Sequence, residues 1–335
     1  MGSPRTSWAC RTSLPRTRPR RIVSPTSWTH ARDPRRSCGV GGDLSMSARA
    51  ACRSPAGRAM PRKGTSLDRE VGAEMVGSFI LCFFGPGSVA VAVLTGEHVG
   101  LWQVASVWGF AIALAIYAVG AISGCHINPA VTLAMAVYRS RSFPAWKIAP
   151  YVLGQMVGGA LAALLLLALY GPTCQVFEAE NGIVRGEPGS QLSAMWFGEY
   201  FPNPAVYGTD PEAFAQVPVA TAFAAEAVGT AFLVFFIMAL TDSRNKDGPG
   251  KLTPLMIGFT VACVIAIVAP LTQAGLNPMR DFAPRLVSYF AGWGEIAVPG
   301  PRGVEWWLYI VAPLVGGLVG AGVHQVLRAR IDEDS

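Results

Sequence analysis

The sequence predicts an all-α membrane protein with six transmembrane helices and two re-entrant half-helices, built from two inverted halves. Composition is the first observation, because 51% of the 335 residues are hydrophobic and only 14% are charged, which suits a chain embedded in lipid. The second is a set of six apolar stretches, each long enough to cross about 30 Å of hydrocarbon as a helix. The third is an Asn-Pro pair that occurs in two further apolar segments, both too short to span.

Residues 1–66 form a segment of a different kind, rich in Arg, Ser and Pro and without an apolar run. Fourteen Lys or Arg and two acidic residues stand in residues 1–64. The positive charge therefore belongs to this tail and does not indicate nucleic-acid binding by the folded body. Such a composition cannot bury enough surface to offset the entropy of folding. We expect a disordered tail or a misassigned start, with Met46 and Met60 as other starts, and a basic arm on anionic lipid as the alternative.

Hydropathy predicts the six spans, and charge predicts their orientation. Short cationic connections follow residues 138 and 240, and a cationic segment follows residue 327, so by the positive-inside rule these parts are cytoplasmic. Both termini are then cytoplasmic, and the acidic loop of residues 171–216 is outside. We expect an integral, multi-pass protein of the plasma membrane, with a channel domain over residues 67–330. The spans are approximately residues 71–94, 98–121, 148–170, 217–240, 252–270 and 305–327.

Two segments, residues 124–138 and 273–290, are too short or too polar to span and too apolar for ordinary loops. Backbone that enters the membrane without crossing it must satisfy its polar groups inside the protein. Each segment contains an Asn-Pro pair, and the two Asn residues, Asn128 and Asn277, are 149 residues apart. We therefore predict two re-entrant half-helices within an internal repeat.

The repeat extends beyond the Asn-Pro pairs. Glu74 and Glu226 stand in the same context, Ala-Glu-x-x-Gly, and are 152 residues apart. The two halves, about residues 67–170 and 217–330, hold three spans each. Because three is an odd number, the second half enters the membrane in the opposite sense, as in the inverted repeats of many transport proteins. The two half-helices then meet head to head at the midplane.

An Asn-Pro pair is a strong helix start, because Asn is a good N-cap and Pro loses no needed backbone donor at the first helical position. Residues 129–138 form a helix of about 15 Å, half the membrane thickness. Once the carboxamide oxygen of Asn128 or Asn277 caps its helix, the amino group can donate toward the centre of a pore. Each half-helix also points the positive end of its dipole there, which opposes cations and interrupts a proton-conducting water chain. The pattern predicts a pore for neutral solutes.

Two motifs surround these helix starts. They are Asn128-Pro129-Ala130 and Asn277-Pro278-Met279, the second followed by Arg280 and Asp281. With them the sequence resembles the major intrinsic protein family, the aquaporins and glycerol facilitators, over roughly residues 68–330. Met279 stands where the family usually has Ala. The resemblance implies an aquaporin-like hourglass fold and a homotetramer in membrane lipid. It also implies a channel for glycerol, water and other small neutral solutes, with urea and metalloid acids as further candidates.

The resemblance further implies a four-residue constriction near the outer mouth, the selectivity filter, formed by Trp108, Ile265, Ala274 and Arg280. An Arg at membrane depth is costly unless it faces water or polar groups, so Arg280 is a functional candidate on physical grounds as well. Trp108 makes an apolar wall where water-selective members have His. A polyol can lay its carbon side against Trp108 and Ile265 while its hydroxyls accept hydrogen bonds from Arg280.

Further residues receive roles from the same resemblance. Glu74 and Glu226 accept hydrogen bonds from the loop backbone behind each half-helix. Asp281 resembles the polyol-conducting branch and also suits the first turn of a helix, where the dipole favours an acidic residue. His126 is a packed loop residue rather than a metal ligand, because no second ligand stands at a suitable spacing, and we expect neither metal nor cofactor. Backbone carbonyls are expected to line the pore at Gly124, Cys125, His126, Gln273, Ala274 and Gly275.

The solute is the open part of the prediction. Glycerol facilitators combine Trp with Gly and an aromatic residue, whereas this chain combines Trp108 with Ile265 and Ala274. That combination resembles the nodulin-like intrinsic proteins of plants, which pass glycerol and uncharged metalloid acids. A channel for water or metalloid acids with little glycerol flux is therefore the alternative to a glycerol channel.

An ion-coupled secondary transporter is a further alternative, because such proteins also have inverted repeats. It needs an ion-coupling site, and Asp281 is the only unpaired acidic residue that we expect near the constriction. An enzyme is not expected, since the sequence offers no nucleophile with its base, no metal cluster and no phosphate-binding loop.

Overall fold

The membrane domain is a bundle of six long helices and two half-length helices. This computed structural model describes residues 65–333, and all regular secondary structure in that range is helical. Six helices are long and apolar enough to cross a membrane, which confirms the predicted fold class. The prediction of a tail falls, except for Thr65 and Ser66, outside the described residues. The helices are α1 (Leu67–Thr95), α2 (Leu101–Ser123), α3 (Pro129–Tyr138), α4 (Ile148–Glu180), α5 (Gln191–Ala194), α6 (Pro204–Tyr207), α7 (Pro211–Phe214), α8 (Val219–Leu240), α9 (Thr253–Thr272), α10 (Pro278–Ser288) and α11 (Glu305–Glu333).

The two halves pack in the same pattern. In the first half α1 packs against α2 and α4, and in the second half α8 packs against α9 and α11. Each half-helix makes its larger contact with the last span of the other half, since α3 packs against α11 and α10 packs against α4. Helices α2 and α9 also contact each other. The halves are therefore interlocked rather than placed side by side.

Matching glycines let the long helices approach closely in both halves. Gly158 of α4 lies against the backbone of Met75 in α1, and Gly320 of α11 lies against the backbone of Ala231 in α8. A Cβ atom at either glycine would overlap the facing carbonyl oxygen. Small residues of this kind drive helix association in membranes, where lipid supplies no hydrophobic force between helices.

Both half-helices begin where the Asn-Pro pairs stand. Asn128 caps α3 and Asn277 caps α10, each through its carboxamide oxygen, and Pro occupies the first turn of both helices. Helix α10 also continues through Pro284 to Ser288. Pro removes one backbone donor there, but the packing of α10 against α4 maintains the helix. The half-helices are thus set by local capping chemistry and held by contacts from the opposite half.

The cationic connections lie together at one end of the bundle. Arg139, which follows α3, donates to Met238 O and to Thr241 Oγ1 at the end of α8, both at 3.0 Å. Arg328, near the end of α11, lies 3.0 Å from the carboxylate of Asp242. This is the end that the positive-inside rule assigns to the cytoplasm.

The connection between α4 and α8 is folded rather than extended. Helix α4 does not end near residue 170 but continues through Pro172 to Glu180. Arg185 then returns to Glu178, whose Oε2 lies 2.7 Å from Arg185 Nη2, and this ion pair fastens the chain to the end of α4. The short helices α5, α6 and α7 follow. The predicted acidic loop is therefore ordered and covers the opposite end of the bundle from the cationic connections. We call this connection, residues 181–218, the outer cover.

Candidate functional site

A cavity of about 420 Å³ lies among the helices and is lined by α2, α3, α9 and α10 and by the loops before both half-helices. Asn128, Asn277 and Arg280 are among its lining residues. The sequence motifs, which are far apart in the chain, therefore meet around one space.

The two Asn side chains join the halves across this cavity. Asn128 Nδ2 donates to Leu276 O at 2.9 Å, and Asn277 Nδ2 donates to Ile127 O at 2.8 Å. Each amino group has two hydrogens, so one holds the opposite loop and the other is left for a further acceptor. In each half, a single Asn side chain thus caps its half-helix, binds the loop of the other half and keeps one N–H donor unused.

Glu74 orients the backbone of the first loop. Its carboxylate accepts hydrogen bonds from His126 N at 2.8 Å and from Ile127 N at 2.7 Å. In a planar trans peptide the N–H and the C=O point in opposite directions. The carbonyls of Cys125 and His126 are therefore turned away from Glu74, toward the cavity. Gly124, Cys125 and His126 all line that cavity.

Glu226 orients the second loop in the same way. It accepts hydrogen bonds from Gly275 N at 2.9 Å and Leu276 N at 2.7 Å, which turns the carbonyls of Ala274 and Gly275 toward the cavity that both residues line. Gln273 is not among the lining residues. Its side chain accepts from one backbone amide of the outer cover and donates to one carbonyl, both at 2.9 Å.

These loops adopt a backbone that side chains normally avoid. Five residues other than glycine have φ between 43° and 64°, the left-handed region, where each costs about 1–3 kcal/mol and persists only if the surroundings enforce it. The two buried glutamates and the reciprocal Asn bonds supply that enforcement. The five are Cys125, Ile127, Gln273, Ala274 and Leu276.

The four residues of the expected filter line the same cavity, and each is less than one-tenth exposed. Arg280 Cζ lies 4.5 Å from the centre of the Trp108 ring, within the range of a cation–π contact. Behind the ring stands Gly85, where a Cβ atom would overlap the indole. The expected filter thus has apolar and hydrogen-bond-donating groups side by side. Its members are Trp108, Ile265, Ala274 and Arg280.

Glu199 lies beside the expected filter and was not predicted from the sequence. It forms a buried ion pair with Arg280, and Arg280 Nη1 also lies 3.4 Å from Phe197 O. Within residues 65–333 the carboxylate has no other hydrogen-bond partner. The sequence did contain a sign that Glu199 has a buried partner. Glu199 is the one charged residue in the aromatic run from Trp196 to Phe201, and a buried charge is costly unless it is paired.

The expectation that Asp281 is unpaired is wrong. Its Oδ1 lies 2.8 Å from Arg285 Nη2 and its Oδ2 lies 2.9 Å from Arg285 Nε, with both side chains fully buried. Oδ1 also accepts a hydrogen bond from Glu199 N at 2.7 Å. Both acidic residues near the constriction are therefore bound to arginines and brace the outer cover.

Met279 points away from the cavity. It is fully buried, and its Sδ lies 3.7 Å from Cys82 Sγ. A Cβ atom at Gly159 would lie 2.7 Å from the same sulfur, so Gly159 provides the space for a side chain longer than Ala. The second motif therefore keeps its helix start despite the substitution.

His126 packs against two aromatic rings. Its ring centre lies 4.6 Å from that of Phe143 and 5.2 Å from that of Tyr151. Between residues 65 and 333 no group of three His, Cys, Asp or Glu side chains could hold a metal ion.

Two inverted halves whose capped half-helices meet at a central cavity define a membrane protein of the aquaporin fold. The solved structure of the aquaglyceroporin from Plasmodium falciparum has this fold and matches with a TM-score of 0.67, at 22% identity, over 81% of this chain and 100% of that one. The major intrinsic protein family matches residues 62–324. The chain belongs to this family.

Bacterial relatives match most of the chain. The glycerol uptake facilitator protein of Haemophilus influenzae is 39% identical over 264 residues, which cover 77% of this chain and 95% of the relative. The protein of the same description from Pseudomonas aeruginosa is 40% identical over 259 residues, covering 77% and 88%. The propanediol uptake facilitator of Salmonella typhimurium is 38% identical over 261 residues, covering 78% and 94%.

Proposed function

We propose that this chain is a passive channel that lets glycerol and other small uncharged solutes, together with water, cross the plasma membrane and excludes protons and ions. The observation that carries the proposal is the two-sided constriction, where the donors of Arg280 lie beside the apolar face of Trp108. A polyol has carbon on one side and hydroxyls on the other, so it matches both. The names of the relatives support this, since glycerol and propanediol are small polyols.

Each group of site residues has a role in this proposal. The four constriction residues act as the selectivity filter, and Glu199 positions Arg280 within it. Carbonyls of the two loops accept hydrogen bonds from solute hydroxyls, while Asn128 and Asn277 donate to them. A passing hydroxyl then exchanges its hydrogen bonds to water for hydrogen bonds to the protein, so the net cost of leaving water is small.

The proposed pore excludes ions for an electrostatic reason. A cation that loses its water needs negative partners, but α3 and α10 direct the positive ends of their dipoles at the cavity, and Arg280 presents N–H donors there. The carboxylates of Glu199 and Asp281 are already paired. The proposed channel therefore conducts passively, and it needs no cofactor, no metal and no enzymatic step.

Assembly and orientation form the remaining part of the proposal. Large apolar side chains such as Phe110 and Ile267 are 61% and 77% exposed on the outer helix faces, which suits membrane lipid or a neighbouring subunit. We place four identical subunits side by side in the plasma membrane, each with its own pore. The clustered cationic connections support our proposal that both termini lie in the cytoplasm.

A swelling assay tests the proposal. Light scattering of proteoliposomes after osmotic shock would be recorded with water, glycerol, urea and boric acid side by side. Glycerol is expected to enter far faster than into protein-free vesicles, and an imposed ion gradient is expected not to drive its accumulation. Glycerol permeability at the level of protein-free vesicles, with raised water permeability, would refute the glycerol channel.

The second candidate is a channel for water or uncharged metalloid acids, favoured by Ile265 and Ala274 in place of the Gly and aromatic residue of glycerol facilitators. In the same assay it predicts boric acid uptake well above glycerol uptake. Equal or lower boric acid uptake dismisses its metalloid form.

A change at Trp108 tests the filter itself. Trp108→His replaces the apolar wall of the constriction, against which the carbon side of a polyol packs, with a polar one, so glycerol flux is expected to fall before water flux does. Stopped-flow measurements of both fluxes on the same vesicles check this. An equal fall in both would mean that Trp108 does not select for the polyol.

A further inference from the structure

Gln273 ends α9 in a backbone conformation that favours glycine. Its φ is 64°, and helices that end with a residue in this left-handed region usually have Gly there, because a Cβ atom is strained. Such strain persists only where the surroundings enforce it, and it is a reason to look for a function. Gln273 does not line the main cavity, so its role lies in what its side chain binds.

The side chain of Gln273 binds one segment of the outer cover at two points. Its Oε1 accepts a hydrogen bond from Tyr200 N, and its Nε2 donates to Met195 O, both at 2.9 Å. Both partners are backbone groups, so these bonds fix the course of the chain over residues 195–200. A glycine at the end of α9 could adopt the same φ, but it could not form these bonds.

The same segment holds Arg280. Glu199 forms the buried ion pair with Arg280, and Phe197 O lies 3.4 Å from Arg280 Nη1. Two partners of the guanidinium therefore lie between the two points that Gln273 binds. A displacement of residues 195–200 would move these partners, and the guanidinium would lose its fixed place.

Side chains of α10 hold the segment from the other side. Asp281 Oδ1 accepts a hydrogen bond from Glu199 N at 2.7 Å, and Arg285 donates to Glu199 O. Because Arg280 belongs to the same helix as these two residues, they fix Glu199 relative to Arg280. They do not fix it relative to α9, and Gln273 supplies that connection.

The end of α9 is a firm base for this connection. Thr272, which precedes Gln273, donates through Oγ1 to Glu226 Oε1 at 2.6 Å. The carbonyl of Thr272 accepts a hydrogen bond from Tyr309 at 2.9 Å. Helix α9 also carries Ile265 of the expected filter. Gln273 therefore connects the outer cover to one wall of that filter.

We propose that Gln273 is a positioning residue of the filter. By fixing residues 195–200 to the end of α9, it sets the distance between Arg280 and Ile265 and so decides which solutes pass. The inference rests on the proposed function, because it concerns the same filter. A polyol needs the Arg280 donors in a fixed place beside an apolar wall, whereas water is smaller and needs no such match. Loss of the Gln273 side chain is therefore expected to reduce glycerol flux more than water flux.

Gln273→Ala in the full chain tests this, with Gln191→Ala as the matched control. Gln191 also accepts from one backbone amide, Gly189 N at 2.9 Å, and donates to one carbonyl, Thr209 O at 3.2 Å, but these partners lie outside residues 195–200. Stopped-flow swelling of proteoliposomes gives the ratio of glycerol to water permeability. The ratio is expected to fall at least about threefold in Gln273→Ala, since losing one hydrogen bond shifts an equilibrium by about that factor or more. It is expected to stay unchanged in Gln191→Ala.

Gln273→Gly separates positioning from folding. Gly adopts a φ of 64° without strain, so this variant is expected to melt no lower than Gln273→Ala and yet to show the same loss of selectivity. A residue with a purely structural role would recover both properties. Recovery of the wild-type permeability ratio in Gln273→Gly therefore overturns the proposal.

A double variant tests whether Gln273 acts through Glu199. In a chain that already carries Glu199→Gln, the change Gln273→Ala is expected to alter the permeability ratio by less than it does in the wild-type chain, because the two residues serve the same guanidinium. Fully additive losses would show that Gln273 acts elsewhere, and they overturn the proposal.

Hydrogen–deuterium exchange gives a readout that does not depend on the conducted solute. The amide of Tyr200 donates to Gln273, so peptides covering residues 195–201 are expected to exchange faster in Gln273→Ala than in wild type or in Gln191→Ala. Wild-type glycerol permeability at the level of protein-free vesicles refutes the proposed function. Unchanged exchange in Gln273→Ala, or an equal fall of the permeability ratio in Gln191→Ala, overturns the role of Gln273.

Discussion

Arg280 carries a permanent charge in a position that is only 3% exposed. Three neighbours offset the cost, namely the carboxylate of Glu199, the carbonyl of Phe197 and the face of Trp108. Two of these lie on the outer cover, so the position of the guanidinium depends on that cover as much as on α10. Removing one partner of a buried ion pair costs about 3–5 kcal/mol, because the other charge is left uncompensated.

Glu199→Gln is therefore expected to lower both glycerol flux and thermal stability. Without its counter-charge the Arg280 side chain loses its fixed place, and the outer cover loses a tie to α10. Stopped-flow swelling in glycerol measures the flux, and tryptophan fluorescence during heating measures the stability.

Glu187→Gln is the control for this change. Glu187 is an exposed acidic residue of the same outer cover. Glu187→Gln removes one negative charge, as Glu199→Gln does, but it breaks no buried ion pair, so wild-type behaviour is expected. If Glu199→Gln also behaves like wild type, Glu199 does not position Arg280.

Gly85 is the residue that sets how far Trp108 can retreat from the pore. In Gly85→Ala the new methyl group would overlap the indole ring, and overpacking of this kind costs about 1–3 kcal/mol unless the ring moves. The ring can move only toward the pore, so glycerol flux is expected to fall more than water flux. Gly72→Ala on the same helix, with no neighbour within 4 Å, is expected to leave both fluxes unchanged. Identical fluxes in the two variants would contradict this account.

At the scale of the helices, the contact between α1 and α4 depends on Gly158. In Gly158→Ala the methyl group would overlap the carbonyl of Met75, so stability is expected to fall by about 1–3 kcal/mol. Gly72→Ala, on the facing helix α1, meets no atom within 4 Å and is expected to be neutral or slightly stabilising, since Ala favours a helix over Gly. Thermal unfolding of the purified variants checks both. Equal melting temperatures would show that α1 and α4 can separate at no cost.

Local chemistry explains which elements could be predicted. The starts of α3 and α10 follow from capping by Asn128 and Asn277, which needs no knowledge of distant contacts. The end of α4 does not, because hydropathy marks where a chain leaves the lipid and says nothing of a helix that continues through Pro172 to Glu180. Helices α5 to α7 have four residues each, too few to show a periodic pattern.

The same distinction separates the residues of the candidate site that could be predicted from the sequence from those that could not. Residues within or next to the motifs, such as Asn128 and Arg280, could be named because motif spacing fixes their place in the fold. Glu199 could not be placed at the constriction, because its contact depends on how the long outer cover folds back.

For the whole molecule, the folded unit is expected to function without the first 59 residues. The family match begins at residue 62, and the first helix of the described residues begins at Leu67, so a chain that starts at Met60 keeps the whole matched region. A chain that starts at Met60 is expected to reach the membrane, purify with the same melting temperature and conduct glycerol like the full chain. Loss of expression or of flux in this deletion would show that the tail contributes to folding or insertion.

The interlocked half-helices also set an order of assembly during synthesis. Asn128 donates to Leu276 O, a group that the ribosome adds 148 residues later, and α3 packs against α11, the last helix to be made. The first three spans can enter the bilayer early, and α4 covers part of the first half-helix, but the larger packing partner of α3 is missing until the chain is nearly complete. Truncated chains that stop before α11 therefore leave one side of α3 unpacked in the membrane, which makes them natural targets for membrane quality control.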